Sequence, residues 1–371
     1  MKQHYEVVIV GGGIIGHAIS YFLNKRGLSA MVIEKQKSGR KATRAAAGML
    51  GVHTENSTSN EFYHFCQTSR NMYKELSQEL YELTAIDIQL APKGMLEIAF
   101  SENEKQVLVA KQQAFPNLEW LEPQTLKDKL PMLGKKATAG LYMEKDGHVQ
   151  PTRICEAFKQ AAVASGGEVH EDCHVWTLSK PTDSFALATD QGKITTDRVV
   201  VATGAESGRW FTEMGLSNPI VPVKGECLSV TSNHIQIHET LFCQDFYLVP
   251  KQDGRYIVGA TSDRYNHSSH VSAGGLETLL NRLFSVIPTF REAMVESFWS
   301  GVRPGTKDGL PVIGEHPYLS GLYYATGHYR NGILLAPVTA QLISDLIMNQ
   351  ETESVMKAMI SPERLIGGGS K

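Results

Sequence analysis

The alternation of apolar and polar positions predicts a β-α-β unit at the start of the chain. Residues 5–10 are mostly apolar and β-branched, as expected of a strand that is covered on both faces. Apolar residues then recur at helical spacing over 15–23, and Gly27 is suited to the end of that helix. A second apolar strand, residues 30–33, ends at Glu34.

The pattern changes further along the chain. Four segments have the alternating or apolar residues typical of strands, with turns such as that at 253–254 between them: 86–100, 221–230, 246–249 and 256–261. They predict a mainly antiparallel sheet. Residues 197–204 form another strand, which ends in Ala-Thr-Gly. Apolar residues at helical spacing after Pro337 indicate a C-terminal helix with that proline in its first turn.

Three glycines stand at the turn between the first strand and the first helix. Gly11, Gly13 and Gly16 match G-x-G-x-x-G, which is typical of dinucleotide-binding turns. A side chain at the first would strain the turn, one at the second would block the pyrophosphate, and one at the third would separate helix from strand. Glu34, about 20 residues further on, is suited to ribose hydroxyls and would repel a 2′-phosphate. The alternative is a glycine-rich turn without a ligand.

Composition narrows the class of protein. The chain has 371 residues, 42% of them hydrophobic, and a net charge of −3, which allows a large core and gives no basic surface for nucleic acid. Five scattered cysteines without a CxxC pair favour free thiols in a reducing compartment. No apolar run reaches the roughly 18 residues that span a membrane, and the first one is too short for a signal peptide. We therefore expect a cytoplasmic protein, with 365–371 as a flexible tail.

Common catalytic motifs of other classes are missing from the sequence. It contains no HExxH motif, no Cys/His ligand cluster and no G-x-S-x-G nucleophile elbow. We therefore expect neither a metal site nor a serine hydrolase.

Five stretches together resemble a known family: VIVGGGIIG (8–16), AAAGMLG (45–51), PVKGECLSV (222–230), SFWSGVRPGTKDGLP (297–311) and GHYRNGILLAP (327–337). They are similar to the D-amino-acid-oxidase superfamily of FAD-dependent amine oxidases, and within it to the glycine-oxidase family tied to thiamine synthesis. The resemblance covers essentially the whole chain. The last two stretches are the most specific.

The order of these stretches predicts a discontinuous architecture, because nucleotide motifs far apart in the chain must converge in space. The expected fold is an α/β, Rossmann-like FAD-binding domain formed by 1–85, 150–219 and 308–364. A mainly antiparallel α+β substrate-binding domain would be formed by 86–149 and 220–307, with the substrate between the two.

The resemblance implies oxidation of a small amine next to a carboxylate. Hydride would leave Cα for FAD, O2 would become H2O2, and water would hydrolyse the imine, so that glycine yields glyoxylate and ammonia. Sarcosine and D-alanine are further expected substrates. The resemblance also implies a homotetramer.

The resemblance assigns roles to four side chains around the substrate. A carboxylate in a dry pocket needs a fixed cation, and Arg303 is the implied partner; a surface ion pair is the alternative. Tyr247 is the implied second ligand of the carboxylate, or else a half-buried strand aromatic. Arg330 would contact the substrate amine, through its carbonyl, or hold a loop. Met49 would lie near the flavin ring, or in the core.

Three positions depart from the glycine-oxidase pattern. Arg44 stands where a small hydroxyl residue is usual, and it would face an anionic substrate or the flavin phosphates. Asp245 occupies a position that can carry histidine. Ser262 replaces a methionine expected in the pocket wall, which would admit larger or more polar amines.

The turn before the last helix and the first β-α-β unit supply most of the implied cofactor contacts. The expected residues are Gly11, Gly13, Ile14, Ile15, Gly16, Glu34, Lys35, Ala42, Thr43, Ala47, Gly48, Met49, Val175, Gly204, His328, Tyr329, Arg330, Asn331, Gly332, Ile333 and Leu334. No cysteine lies in 328–334, so we expect noncovalent FAD. We expect no obligatory base, because burial of the substrate ammonium promotes its deprotonation and a lone histidine is more often structural.

Other functions stay open at this point. A sarcosine oxidase or a D-amino-acid dehydrogenase of the same superfamily is the nearest alternative, followed by a variant that acts on a larger glycine derivative. A catalytically silent FAD-binding protein is another, although it would not need a carboxylate clamp.

Overall fold

The computed structural model describes residues 4–134, 137–243, 246–350 and 358–366. Within these ranges the strands are β1 (His4–Val10), β2 (Ala30–Ile33), β3 (Met95–Ala99), β4 (Glu119–Leu121), β5 (Ala139–Met143), β6 (Glu168–His170), β7 (Val175–Ser179), β8 (Phe185–Thr189), β9 (Gly192–Val201), β10 (Ile220–Thr231), β11 (Thr240–Cys243), β12 (Phe246–Pro250), β13 (Arg255–Gly259), β14 (Asp263–Arg264), β15 (Met294–Thr306), β16 (Val312–Glu315) and β17 (Leu322–Thr326). The α-helices are α1 (Ile14–Lys25), α2 (Ala42–Ala45), α3 (Glu61–Thr84), α4 (Glu102–Ala114), α5 (Pro123–Lys129), α6 (Pro151–Ala164), α7 (Gly208–Glu213), α8 (Ala273–Val286) and α9 (Gly332–Ile347).

The first sheet is built around β1. Its order is β16-β17-β9-β1-β2-β6, and β8 and β7 continue from β9. β1 runs parallel to both β2 and β9. Val7 and Ile9 face a core where α1 packs against α6 and α9, whereas Val8 and Val10 face a second core on the other side. β1 is therefore buried on both faces, which confirms the prediction from its apolar pattern.

The second sheet has the order β14-β10-β13-β12-β11-β3-β5-β4, and β15 pairs with β10. Its pairs are antiparallel apart from β11 with β3. This confirms the predicted combination of a Rossmann-like sheet and a mainly antiparallel sheet. The strands of the first sheet come from 1–85, 150–219 and 308–364, and those of the second from 86–149 and 220–307. The division into domains at these bounds stays a prediction.

Two predicted elements differ from the structure. β3 occupies only the end of the predicted strand 86–100, because Gln89 and Gly94 have positive φ angles of 56° and 80° and interrupt the extended chain. The C-terminal helix α9 begins at Gly332, so Pro337 lies in its interior. The prediction of a first-turn proline is therefore wrong.

Side chains of α3 compensate for this interior proline. Pro337 has no N–H to donate to the carbonyl of Ile333, and the Tyr73 hydroxyl donates to that carbonyl instead. The Ser69 hydroxyl donates to the Leu334 carbonyl at 2.6 Å and accepts from the N–H of Val338 at 3.3 Å. α3 thus fixes the beginning of α9.

Cysteines and helix hydrophobicity add two structural facts. All five cysteines are buried and free. Across the described ranges, no helix has both the length and the apolar character needed to cross a membrane.

Candidate active site

A large cleft lies between the two sheets, with a volume of about 1650 Å³ measured out to its open mouth. One part of its lining comes from the ends of β1 and β2 and the beginning of α1. The other part comes from β10, β12 and β15 of the second sheet. The cleft therefore lies beyond the carboxyl ends of parallel strands, where α/β folds bind their ligands.

The glycine turn has one position that is open toward the cleft. A Cβ on Gly11, which has a φ of 114°, would lie 2.5 Å from the carbonyl oxygen of Ala202, and a Cβ on Gly16 would overlap the Gly11 carbonyl. A Cβ on Gly13 would meet only the Thr43 hydroxyl, at 3.5 Å. The first and third glycines thus serve packing, and the second leaves space for a ligand. These glycines behave as the motif predicts.

The Glu34 carboxylate accepts hydrogen bonds from the backbone on one side of this turn. Its Oε2 accepts from the N–H of Gly12 at 2.7 Å, and its Oε1 accepts from the N–H of Gln36 at 3.0 Å. On the other side, the N–H of Ile14 donates to the Thr43 hydroxyl at 3.1 Å. We call Gly11, Gly13, Glu34 and Thr43 the nucleotide cradle.

The charges around the cradle fit an adenine dinucleotide. The first turn of α1 has no acidic residue, so its positive end is not neutralised there. Apart from Arg303 and Arg330, five lysine and arginine side chains line the cleft: Lys35, Lys37, Arg40, Lys41 and Arg209. The space at Gly13, the helix N-terminus and this basic lining fit a pyrophosphate, and the Glu34 carboxylate fits a ribose.

The small-residue segment 45–49 lines the cleft and is held from the second sheet. The indole N–H of Trp299 donates to the Ala45 carbonyl at 3.1 Å. The Lys251 amine donates to the carbonyls of Ala47 at 2.6 Å and Val149 at 3.0 Å. Burial lowers the pKa of Lys251 to about 7. The alanine-rich stretch is thus a fixed wall.

Arg303 lies on β15 and reaches across β10. A Cβ on Gly225 would overlap its guanidinium, so the guanidinium lies directly over that glycine. Its Nη1 donates to the Thr261 carbonyl at 3.2 Å. Within the described residues no carboxylate forms an ion pair with Arg303, which disfavours the alternative of a surface ion pair.

Tyr247 lies on β12, directly opposite Gly259 of β13. A Cβ on Gly259 would overlap the tyrosine ring, and the tyrosine hydroxyl lies 3.4 Å from the Cys227 sulfur. Burial raises the pKa of Tyr247, so its hydroxyl is protonated and can donate a hydrogen bond. We call Gly225, Gly259, Tyr247 and Arg303 the substrate floor.

Arg330 lines the cleft beside the substrate floor. Its Nε donates to Glu55 Oε1 at 2.9 Å, and its guanidinium lies 5.6 Å from the centroid of the Phe242 ring. The Glu55 carboxylate is the main cause of a raised pKa for Arg330. Arg330 is therefore a compensated charge, unlike Arg303.

The turn before α9 also lines the cleft. His328 is buried, and its Nε2 lies 3.0 Å from the Thr339 hydroxyl. Burial lowers the pKa of His328 to about 3, so the ring is neutral at physiological pH. The N–H of Tyr329 donates to the Pro304 carbonyl at 2.8 Å, which joins this turn to β15.

Most predicted site residues converge on this cleft. Those that line it are Gly11, Gly13, Ile14, Ile15, Glu34, Lys35, Ala42, Thr43, Ala47, Gly48, Met49, Val175, Gly204, Tyr247, Arg303, His328, Tyr329, Arg330, Gly332 and Ile333. Their individual contacts with cofactor or substrate stay predictions.

Three predicted cofactor residues do not line the cleft. Gly16 packs against the Gly11 carbonyl. Asn331 is the N-cap of α9, and its carbonyl accepts from the N–H of Leu335 at 2.8 Å. The Leu334 side chain is buried in the core beneath the helix. Each of the three residues makes a contact that the fold itself needs. This explains why each belongs to a motif although it does not line the cleft.

The three departures from the family pattern have different outcomes. Ser262 is exposed and lies outside the lining of the cleft, and its role in the pocket wall stays a prediction. The preceding residue, Thr261, is bonded to the strands of the floor: its carbonyl accepts from Arg303 and its hydroxyl accepts from the N–H of Glu226. Arg44 is also exposed and outside the lining. Asp245 lies outside the described residues.

Several lining residues were not predicted as site residues. They include Lys37, Arg40, Lys41, Cys173, His174, Glu206, Arg209, Trp210, Gly225 and Cys227. Gly225 had a usable signal, since a glycine inside a strand pattern often marks close approach of another group. Cys227 lies in the family-like stretch 222–230 but carried no implied role, and the others lie in segments without a motif of their own.

Comparison with known proteins agrees with this geometry. Residues 6–346 match the family described as DAO, FAD dependent oxidoreductase. The chain therefore belongs to the DAO family of FAD-dependent oxidoreductases. It is an FAD-dependent amine oxidase, which confirms the enzyme class and the cofactor predicted from the sequence.

Individual relatives narrow the comparison within this family. The chain is 40% identical over 351 residues to the glycine oxidase of Bacillus subtilis (strain 168), covering 95% of each. It superposes with a TM-score of 0.92 on the crystal structure of glycine oxidase from Geobacillus kaustophilus, at 38% identity, covering 95% of this chain and 96% of that one. It is also 35% identical to the bifunctional protein ThiO/ThiG of Synechocystis sp., covering 99% of this chain and 55% of that protein.

Proposed function

We propose that this chain oxidises glycine to glyoxylate, ammonia and H2O2, using O2 and water. The observation that carries the proposal is the substrate floor, where the Arg303 guanidinium lies in the cleft without an ion-pairing carboxylate among the described residues. A partly buried guanidinium in this state is suited to an anion from the ligand. The small amino-acid substrate named for the relatives supplies such an anion as its carboxylate.

Arg303 and Tyr247 have complementary roles in this proposal. Arg303 binds the substrate carboxylate through two parallel hydrogen bonds, and the protonated Tyr247 hydroxyl donates a third. Gly225 and Gly259 fix both side chains from below, so little side-chain entropy is lost when substrate binds. The substrate's α-carbon is thereby held at one fixed distance from the wall 45–49.

Bound FAD supplies the two-electron acceptor chemistry, and O2 restores it with formation of H2O2. The protein's contribution before that step is to bind a neutral amine. His328 is already engaged with Thr339, and its lowered pKa leaves it neutral. We therefore propose that the substrate loses its ammonium proton to solvent, favoured by burial, rather than to a histidine base.

We further propose that sarcosine and D-alanine are minor substrates and that the product serves thiamine thiazole synthesis in the cytoplasm. The likeness to the ThiO/ThiG protein supports the second point. We also propose a homotetramer, which light scattering of the purified protein would test directly.

Anaerobic titration of the FAD-loaded protein tests the main proposal. Glycine should bleach the visible flavin absorption, and admission of air should restore it with one H2O2 for each glyoxylate. An intact flavin spectrum after saturating glycine would overturn the proposal. Bleaching without peroxide in air would instead indicate a dehydrogenase.

A further inference from the structure

Two guanidinium groups line the substrate end of the cleft, and only one of them has a carboxylate of the protein as an ion-pair partner. Arg330 is paired with Glu55, whose side chain is only 16% exposed. No ion pair involves Arg303 within the described ranges. Arg330 lines the cleft, whereas Glu55 does not. At its substrate end, the cleft therefore presents one guanidinium without an ion-pairing carboxylate and one that is neutralised by its own carboxylate.

Both cations act on the same part of the substrate floor. Tyr247, Arg303 and Arg330 all line the same cleft. Phe242, beneath the Arg330 guanidinium, is the direct cross-strand neighbour of Tyr247. A ligand whose carboxylate is bound at Arg303 would therefore extend toward Arg330 with any substituent on its amine.

We propose that Glu55 determines the substrate class by charge: it cancels Arg330, so the cleft favours amino acids with one carboxylate over amines that carry a second anionic group. The inference rests on the proposed function of the same site. A free guanidinium would attract a second carboxylate, whereas a guanidinium with its own carboxylate has little net field to offer. Glu55 would thus be a specificity-determining residue outside the lining of the cleft.

Sarcosine and iminodiacetate form a matched pair for the test, since they differ only by a carboxylate on the N-substituent. Oxidation of iminodiacetate with O2 and water would cleave one C–N bond and give glyoxylate, glycine and H2O2. Glu55→Gln keeps an oxygen that can accept from Arg330 Nε and removes the charge. We expect the ratio of kcat/KM for iminodiacetate to that for sarcosine to rise about tenfold or more, equivalent to about 1.4 kcal/mol.

Two further variants separate charge from structure. Glu75→Gln removes the same charge from an exposed position on α3 and should leave the ratio unchanged. Glu55→Gln combined with Arg330→Met should lose the gain, because the attracting cation is removed. N-(2-carboxyethyl)glycine carries its second carboxylate one methylene further from the amine than iminodiacetate does. It therefore tests whether a longer substituent is needed to reach Arg330.

The outcomes are distinguishable. An equal fall for both substrates in Glu55→Gln would show that the pair only supports the fold, and would overturn the proposal. A gain that persists without Arg330 would overturn it as well. If Glu55→Gln fails to bind FAD, inhibition of the wild type by acetate and malonate decides: the proposal expects no advantage for the dianion. Failure of the wild type to oxidise glycine would instead contradict the proposed function.

Discussion

The nucleotide cradle and the substrate floor both depend on glycine, but for opposite purposes. In the cradle, a Cβ on Gly13 would meet little protein, so the missing side chain leaves room for a ligand. In the floor, a Cβ on Gly225 or Gly259 would overlap Arg303 or Tyr247, so the missing side chain leaves room for the protein's own binding groups. In the proposed function, the first region admits the cofactor and the second orients the side chains that bind the substrate.

This difference predicts different failures. A change in the floor should impair substrate binding with FAD retained, whereas a change in the cradle should impair FAD binding with the floor intact. Three predictions test this contrast and a fourth concerns the turn before α9; they are given from the largest expected effect on activity to the smallest.

Arg303→Ala should lower kcat/KM for glycine about a thousandfold, or roughly 3–5 kcal/mol, because the substrate carboxylate loses its cation in a shielded site. Steady-state peroxide assays measure the loss, and the flavin spectrum checks that FAD content is unchanged. Arg303→Lys should recover only part, since an ammonium lacks the planar pair of donors. A loss below tenfold in Arg303→Ala would remove this residue from the site.

Gly13→Ala should weaken FAD binding about a hundredfold, because its methyl group enters the space of the pyrophosphate. The apoprotein should keep its thermal midpoint, since the only close neighbour is Thr43 at 3.5 Å. Gly16→Ala is the contrasting variant and should destabilise the fold itself. Equal FAD affinity in Gly13→Ala and wild type would contradict the role of the cradle.

Gly225→Ala and Gly259→Ala should each lower kcat/KM about tenfold to a hundredfold by displacing Arg303 or Tyr247. Neither glycine has a positive φ, so the added methyl group acts by contact rather than by backbone strain. KM should rise more than kcat falls, with FAD content unchanged. Gly274→Ala, with open space around it, is the control and should behave as wild type. Unaltered kinetics in both floor variants would refute the positioning role.

Deprotonation of the substrate ammonium predicts that kcat/KM rises with pH. His328→Asn should change kcat/KM less than tenfold and should leave this rise unchanged, because the neutral imidazole is not the base. Stability should change more than activity. The folded pKa of about 3 lies below the unfolded value, so the native state binds fewer protons between about pH 3 and 6.5. The wild type should lose stability as pH falls through that window, and His328→Asn should lose less. Disappearance of an ionisation near pH 6.5 in the activity profile would contradict this assignment.

The same comparison explains what could be predicted from sequence. The cradle depends on one contiguous motif and a carboxylate at a fixed spacing, so Gly11, Gly13 and Glu34 could be placed in the first β-α-β unit. The floor depends on the register of β10, β12, β13 and β15, which no local pattern encodes. Arg303 and Tyr247 were found through family resemblance. Gly225 gave only the general signal of a glycine inside a strand pattern, and Gly259 and Glu55 acquire their roles from contacts across strands and loops.

Local motifs also misled at specific points. Pro337 looked like a helix start because its missing N–H is harmless there, but Tyr73 and Ser69, some 260 residues earlier, supply substitute hydrogen bonds. Ser262 was expected in the pocket wall from its position in the family pattern, but its side chain is exposed and outside the lining of the cleft. For Pro337, a tertiary contact decided the outcome.

Binding of acetate to the FAD-loaded protein, followed through the flavin absorption spectrum, tests the carboxylate site without any chemistry. The account predicts a saturable spectral change in the wild type and none at the same concentrations in Arg303→Ala with equal FAD content. The same dissociation constant in both proteins would contradict it.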